Sequence, residues 1–115
     1  MINQEEYHSY CLALPHTEAC FPFNESTLVF KVHGKMFALG DIENWSFLNL
    51  KCDPIKAEEL RVENEGIKPA YHMNKKHWNS VDVKGKVSRK EIFELIDHSY
   101  KLVFASLPKK LRDIK

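Results

Sequence analysis

The chain lacks any apolar run long enough to cross a bilayer, which excludes a membrane-spanning helix. Its first residues, Met1-Ile2-Asn3-Gln4-Glu5-Glu6, are polar and acidic and do not read as a signal peptide. Cysteine is sparse. Cys11, Cys20 and Cys52 are an odd number with no CxxC pair, which argues against a disulfide framework and for reduced thiols in a cytoplasmic protein. The sequence has no GxSxG elbow, P-loop or GxGxxG. Asp97-His98-Ser99 contains triad residue types, but neighbours on a helix point in different directions and cannot form a relay. His16 and Cys20 sit four apart and His72 and His77 five apart, without the paired ligand spacing of a zinc site. A metal site assembled in space, for instance from Cys52 and His72, is not removed by spacing alone. Glu58, Glu59, Glu63 and Glu65 read as a solvated helix face rather than acid–base machinery. No repeat, linker or low-complexity segment is present. The expectation is a non-enzymatic protein with no cofactor and no metal.

What remains is an ordinary globular composition, 43% hydrophobic and 29% charged, in 115 residues. That length suits one domain with a single core, here residues 1–108 followed by a basic tail, 109–115. Net charge is +1, but it is unevenly spread. Residues 1–65 hold five Lys/Arg against eleven Asp/Glu, a balance of −6. Residues 66–115 hold twelve against five, a balance of +7. Such asymmetry suits a polyanionic partner, unless the fold interleaves the halves and cancels the field. The densest local signal is Tyr71-His72-Met73-Asn74-Lys75-Lys76-His77-Trp78-Asn79-Ser80-Val81, with no acid between Glu65 and Asp82. Basic groups beside aromatic faces suit phosphate pairing and base stacking. The plainer alternative is that Tyr71 and Trp78 anchor a strand pair around a solvated turn.

Local patterns predict the elements. Asn3 and Glu6 form a capping box, and Tyr7, Tyr10, Cys11 and Leu14 follow helical spacing until Pro15. Residues 16–27 read as irregular. Leu28–Val32 and Lys35–Leu39 form a hairpin about His33-Gly34, with Leu28, Phe30 and Val32 on one face and Val29 and Lys31 on the other. Trp45–Lys51 is a third strand. Asp53-Pro54 starts a helix carrying Ala57, Leu60 and Arg61, with Gly66 able to supply a left-handed cap. Ile67–Met73 reads as an edge strand because of Pro69, and Trp78–Val83 as a fifth strand. Ser88 and Glu91 open a long helix with Ile92, Leu95, Ile96, Ser99, Leu102 and Val103 on one face. The tail from Lys109 is expected to fray. The order α-β-β-β-α-β-β-α predicts an α+β two-layer sandwich on a five-stranded antiparallel sheet, one face of which is left partly open.

These residues resemble the MmcQ/YjbR family of small bacterial proteins. The matching pieces are Leu14-Pro15, Phe21-Pro22-Phe23, Phe30-Lys31-Val32 with Gly34-Lys35-Met36-Phe37-Ala38, and Leu50-Lys51-Cys52-Asp53-Pro54. They continue through Tyr71-His72-Met73-Asn74-Lys75 with His77-Trp78, Leu95-Ile96 with Ser99-Tyr100, and Leu107-Pro108. The resemblance implies the same two-layer sandwich and carries the family's customary label, DNA-binding. It brings no catalytic residues.

The first functional expectation is therefore weak, largely sequence-independent binding to DNA or another nucleic acid. Lys31, Lys35, Lys51, Lys68, Lys75, Lys76, Lys84 and Lys86 would meet phosphates, with His72, Asn74 and His77 in the same site. Lys31 and Lys35 flank one turn and Lys84 and Lys86 another, like wings straddling a duplex. No helix carries a basic recognition face, so base-specific reading is not expected. The alternative is a protein-interaction module that uses the open sheet face for a peptide or a second copy.

Overall fold

Asn3 caps the first helix as the sequence predicts. Its Oδ1 accepts from Glu6 N at 2.8 Å, and its own N–H donates back to the Glu6 carboxylate at 3.1 Å. Helix α1 runs Gln4–Leu12 and turns Tyr7 and Cys11 inward. The computed structural model describes residues 1–113. Six strands follow in chain order: β1 Thr17–Cys20, β2 Thr27–Val32, β3 Lys35–Asp41, β4 Phe47–Lys51, β5 Ile67–Pro69 and β6 Trp78–Asp82. Helix α2, Pro54–Glu63, lies between β4 and β5, and α3, Arg89–Ala105, follows β6. A short turn of helix, α4, covers Lys109–Arg112. The result is an α+β two-layer sandwich whose sheet is antiparallel throughout, in the order β1-β2-β3-β4-β6-β5.

The sheet has one strand more than predicted. Thr17–Cys20, read as irregular, pairs with β2 from Thr17 opposite Val32 to Cys20 opposite Val29. It escapes detection because it is a short edge strand with no buried residue, so nothing in its side chains alternates. Its entry is fixed instead by His16 at φ 61° and by Thr17 Oγ1, which donates to the Leu14 carbonyl at 2.9 Å. Two further expectations are corrected. Gly66 is not a left-handed cap; α2 closes on Asn64, and Gly66 is required by crowding. A Cβ there would come within 2.8 Å of Lys86 Cβ and 2.9 Å of Val87 Cγ2. The tail does not fray at once, since Leu111 packs against the core. Ile114 and Lys115, the rest of that tail, lie outside the described residues.

The main core lies between the sheet and the helices. It holds Tyr7 and Cys11 from α1, Leu28, Phe30, Val32, Leu48, Leu50 and Val81 from the sheet, and Ile92, Leu95, Ile96 and Val103 from α3. The β2–β3 pairing slips at Phe30/Lys31, so Phe37 and Ala38 both enter this core, a β-bulge breaking strict alternation. His33 and Gly34, at φ 46° and 81°, make the two-residue turn that precedes it. At the heart of the layer Ser99 Oγ donates to the Phe37 carbonyl at 2.5 Å and accepts the Lys51 N–H at 2.9 Å. Helices α1 and α3 meet through Tyr10, stacked on Phe93 with ring centroids 4.4 Å apart and bonded to the Asp97 carboxylate at 2.7 Å. Among the described residues no helix is long and apolar enough to cross a membrane.

Candidate functional site

The face of the sheet away from the helices carries a second, smaller apolar cluster, made by Val29, Leu39, Ala70 and Trp78 with Cys20, Met36 and Met73 against it. Met73 and Trp78 belong to the Tyr71–Val81 run, so the segment linking β5 to β6 folds back over this face. Its backbone is closely held. Ala70 N–H donates to the Trp78 carbonyl at 3.1 Å, and Met73 N–H to the Ala70 carbonyl at 3.1 Å. The Asn74 carbonyl accepts from His77 and Trp78 at 3.1 and 3.0 Å, while Asn74 Oδ1 accepts from Lys76 N at 3.0 Å. Cys52 N–H donates to the His77 carbonyl at 2.7 Å. From α2, Arg61 donates through Nε to Asn79 Oδ1 at 2.6 Å and through one terminal nitrogen to the carbonyls of Lys75 and Trp78.

With the backbone fixed, the side chains divide. Trp78 is buried, as the plainer reading of the run expects, but Tyr71 is 70% exposed and anchors nothing. His72, Asn74, Lys75 and Lys76 are also exposed, and His77 is half-buried. Lys75 Nζ stands 5.3 Å from the Tyr71 ring centroid, a cation over an aromatic face at the surface.

Register places the other lysines. Lys51 opposes Trp78, Lys68 opposes Ser80 and Lys31 opposes Glu18, so all three stand on the open face. Lys35 lies beside the His33-Gly34 turn, at the same end of the sheet as Lys51 and the Tyr71–His77 loop. Lys84 and Lys86 lie at the other end, beyond the Phe47–Asp82 pair, in a turn that leads to α3 rather than back into a strand. The backbone N–H groups of both donate to Asp82 Oδ2, at 3.1 and 2.9 Å. The two basic turns are therefore not neighbouring wings. The structure brings Lys31, Lys51 and Lys68 to the face occupied by His72, Asn74, Lys75, Lys76 and His77, leaves Lys35 at the same end but opposite the core residue Val32 and so off that face, and sets Lys84 and Lys86 apart.

Beside the folded-back loop the open face sinks into a cavity of about 460 Å³. Leu39 and Gly40 lie at its base, with Phe47, Asn49, Ser80, Asp41 and His72 around it. Ser80 Oγ donates to Asn49 Oδ1 at 2.5 Å across the β4–β6 pair. Asp41 Oδ1 accepts the N–H groups of Glu43 and Asn44 at 2.9 and 3.1 Å, which fixes the carboxylate at the rim. Sequence reading missed this group. Asn49 and Ser80 are polar residues at outward strand positions, a signal that becomes a site only once β4 and β6 are known to pair.

Other reactive groups are occupied structurally. Asp97, His98 and Ser99 serve three different partners: Tyr10, the Asp53 N–H and the Phe37 carbonyl. Burial, then the Asp97 charge, pushes the Cys11 thiol far up, and burial also raises Cys52. Burial and the hydrogen bond to Asp97 push Tyr10 up to about 12. Among the described residues no three His, Cys, Asp or Glu side chains converge as a metal site, so Cys52 and His72 do not form the core of one.

Known proteins share this fold. A profile of the YjbR family matches residues 12–102. YbdF of Escherichia coli O157:H7 is 42% identical over 100 residues, covering 86% of this chain and 82% of its own. YjbR of Escherichia coli K12 is 32% identical over 110 residues, 95% and 93% of the two chains. A crystal structure of a Deinococcus radiodurans protein superposes with a TM-score of 0.92 at 41% identity, over 97% of this chain and 86% of that one. A Pseudomonas syringae protein follows at a TM-score of 0.75 and 30% identity, over 89% and 99%. The profile spans most of the residues that build both the sheet and the folded-back loop, and the chain belongs to the YjbR family.

Proposed function

We propose that this protein binds nucleic acid weakly and with little sequence preference, in a bacterial cytoplasm, through the Tyr71–His77 loop and the neighbouring strand lysines. The observation that carries the reading is the Lys75–Tyr71 pair: a cation and an aromatic face, both solvent-exposed, on a loop whose backbone Arg61 holds in place. A fixed loop offers a stacking surface and a phosphate partner without ordering cost on binding. Lys51 and Lys68 extend the positive charge onto the open face, Lys31 stands there opposite Glu18, and no acid interrupts residues 66–81. Three free thiols, two of them buried, suit a reducing compartment.

The alternative, a protein partner or a second copy, finds support elsewhere. The open face is not flat, since Met73 and Trp78 cover part of it. Phe21 and Phe23 are exposed directly after edge strand β1, where strand addition is available.

Fluorescence anisotropy with single-stranded DNA, duplex DNA and RNA across a salt series tests the nucleic-acid reading. Duplex affinity should fall with salt at a log–log slope near −0.9 per phosphate neutralised. Lys75→Ala with Lys76→Ala should reduce that slope by about two while leaving the melting temperature unchanged. No binding to any of the three at low salt overturns the reading.

A further inference from the structure

We propose that the cavity on the open sheet face is a nucleobase pocket, selective for a base with adjacent N–H donors on its edge, as in guanine. The inference rests on the nucleic-acid reading and adds one base-selective position to its otherwise sequence-independent contacts, because His72 lines the cavity and belongs to the same loop as Tyr71 and Lys75. Size comes first. About 460 Å³ falls within the range of small-ligand sites, roughly 300–1,000 Å³, and accommodates one flat base with its sugar.

The walls suit such a ligand. Phe47 is 41% exposed and borders the cavity, where its ring is available for a planar ligand to stack on. Leu39 supplies an apolar base. The polar groups are fixed in advance. Asp41 is anchored by two backbone N–H donors, and Asn49 is oriented by Ser80. Both backbone donors go to Asp41 Oδ1, so Oδ2 is left with two acceptor sites for neighbouring N–H groups, and the Asn49 amide nitrogen provides the complementary donor, which matches the N1–H, N2–H and O6 edge of guanine.

Charge divides the nucleotide in the same sense. Asp41 repels a phosphate, whereas Lys75 and Lys76 stand on the loop that His72 ties to the cavity. Base in the cavity and phosphate toward the loop is the orientation both ends favour.

The test uses the full chain and free nucleosides, which carry no phosphate. Guanosine is titrated into isotope-labelled protein and followed by amide NMR. The expected result is saturable shifts at Gly40, Asn49 and Ser80, with adenosine binding about tenfold or more weakly. Phe47→Ala and Asp41→Asn should each weaken guanosine about tenfold without lowering the melting temperature. Phe47 is exposed, and Asn at position 41 can still accept the two backbone N–H groups. Absence of saturable shifts at the cavity overturns the inference, as does wild-type affinity in both variants. Saturation of the same amides by ethylammonium but not by guanosine also overturns it, assigning the cavity to cations. If guanosine fails while oligonucleotides still bind with a lysine-dependent salt slope, the pocket is refuted and the binding loop stands. If guanosine binds and oligonucleotides do not, the pocket stands alone.

Discussion

Arg61 donates through Nε to Oδ1 of Asn79 at 2.6 Å, so a helix on one face of the sheet holds the start of the strand that ends the folded-back loop. The same guanidinium reaches the carbonyls of Lys75 and Trp78. A planar fork serves several acceptors at once, which an ammonium on a flexible stem does not.

Arg61→Ala should therefore leave buried Asn79 and the loop carbonyls short of a donor, costing about 1–3 kcal/mol in chemical denaturation. It should also loosen Tyr71–His77, read as faster amide exchange there, and weaken nucleic-acid binding although Arg61 touches no phosphate in this scheme. Arg61→Lys should rescue little of either. A variant as stable as wild type, with unchanged exchange in the loop, would refute the clamp.

Ser99 gives a second test, on the fold. It is fully buried, and its hydroxyl bridges the Phe37 carbonyl and the Lys51 N–H. Ser99→Ala leaves two buried backbone groups unpaired, so the loss should be about 1–3 kcal/mol, far above a typical surface substitution. A loss below about 0.5 kcal/mol in urea unfolding would show that water replaces the hydroxyl.

His98 sets a pH dependence. Its Nε2 accepts the Asp53 N–H at 3.2 Å, and burial, followed by the Lys56 charge, lowers its pKa in the folded state. Below about 6.5 the unfolded chain then binds a proton that the folded chain resists. This contribution to stability is present above about 6.5 and is lost as pH falls through the window beneath it. His98→Gln cannot titrate, so its unfolding midpoint should decline less steeply than wild type across that window. Parallel curves would remove His98 from the pH response.

Much of this architecture is legible in local sequence because the signals are local. Asn3, Asp53 and Ser88 announce helix starts by side-chain capping, and the Ile92–Val103 stripe announces the face of α3 by period. What is not legible depends on distant contact. Strand Thr17–Cys20 is held by backbone pairing rather than by its side chains. The role of Gly66 depends on Lys86 and Val87, twenty residues on, not on its own turn. The candidate site divides the same way. The basic, aromatic run is visible as composition, but Arg61 as its clamp and Asp41, Asn49 and Ser80 as its neighbours appear only when α2, β3, β4 and β6 come together.

Tyr71 offers the sharpest separation of binding from folding. Its ring is 70% exposed and belongs to neither apolar cluster, while Trp78, seven residues on, is buried in the second. Tyr71→Ala should therefore leave the melting temperature within error, whereas Trp78→Ala should lower it sharply. If the ring stacks on a base, its loss should cost about 1–3 kcal/mol of single-strand affinity. Stacking carries no charge, so the salt slope should stay at its wild-type value while the whole affinity line drops. The Lys75→Ala with Lys76→Ala variant should change the slope instead. A Tyr71→Ala protein that binds single strands as tightly as wild type would reduce the loop to an electrostatic surface and remove stacking from the mechanism.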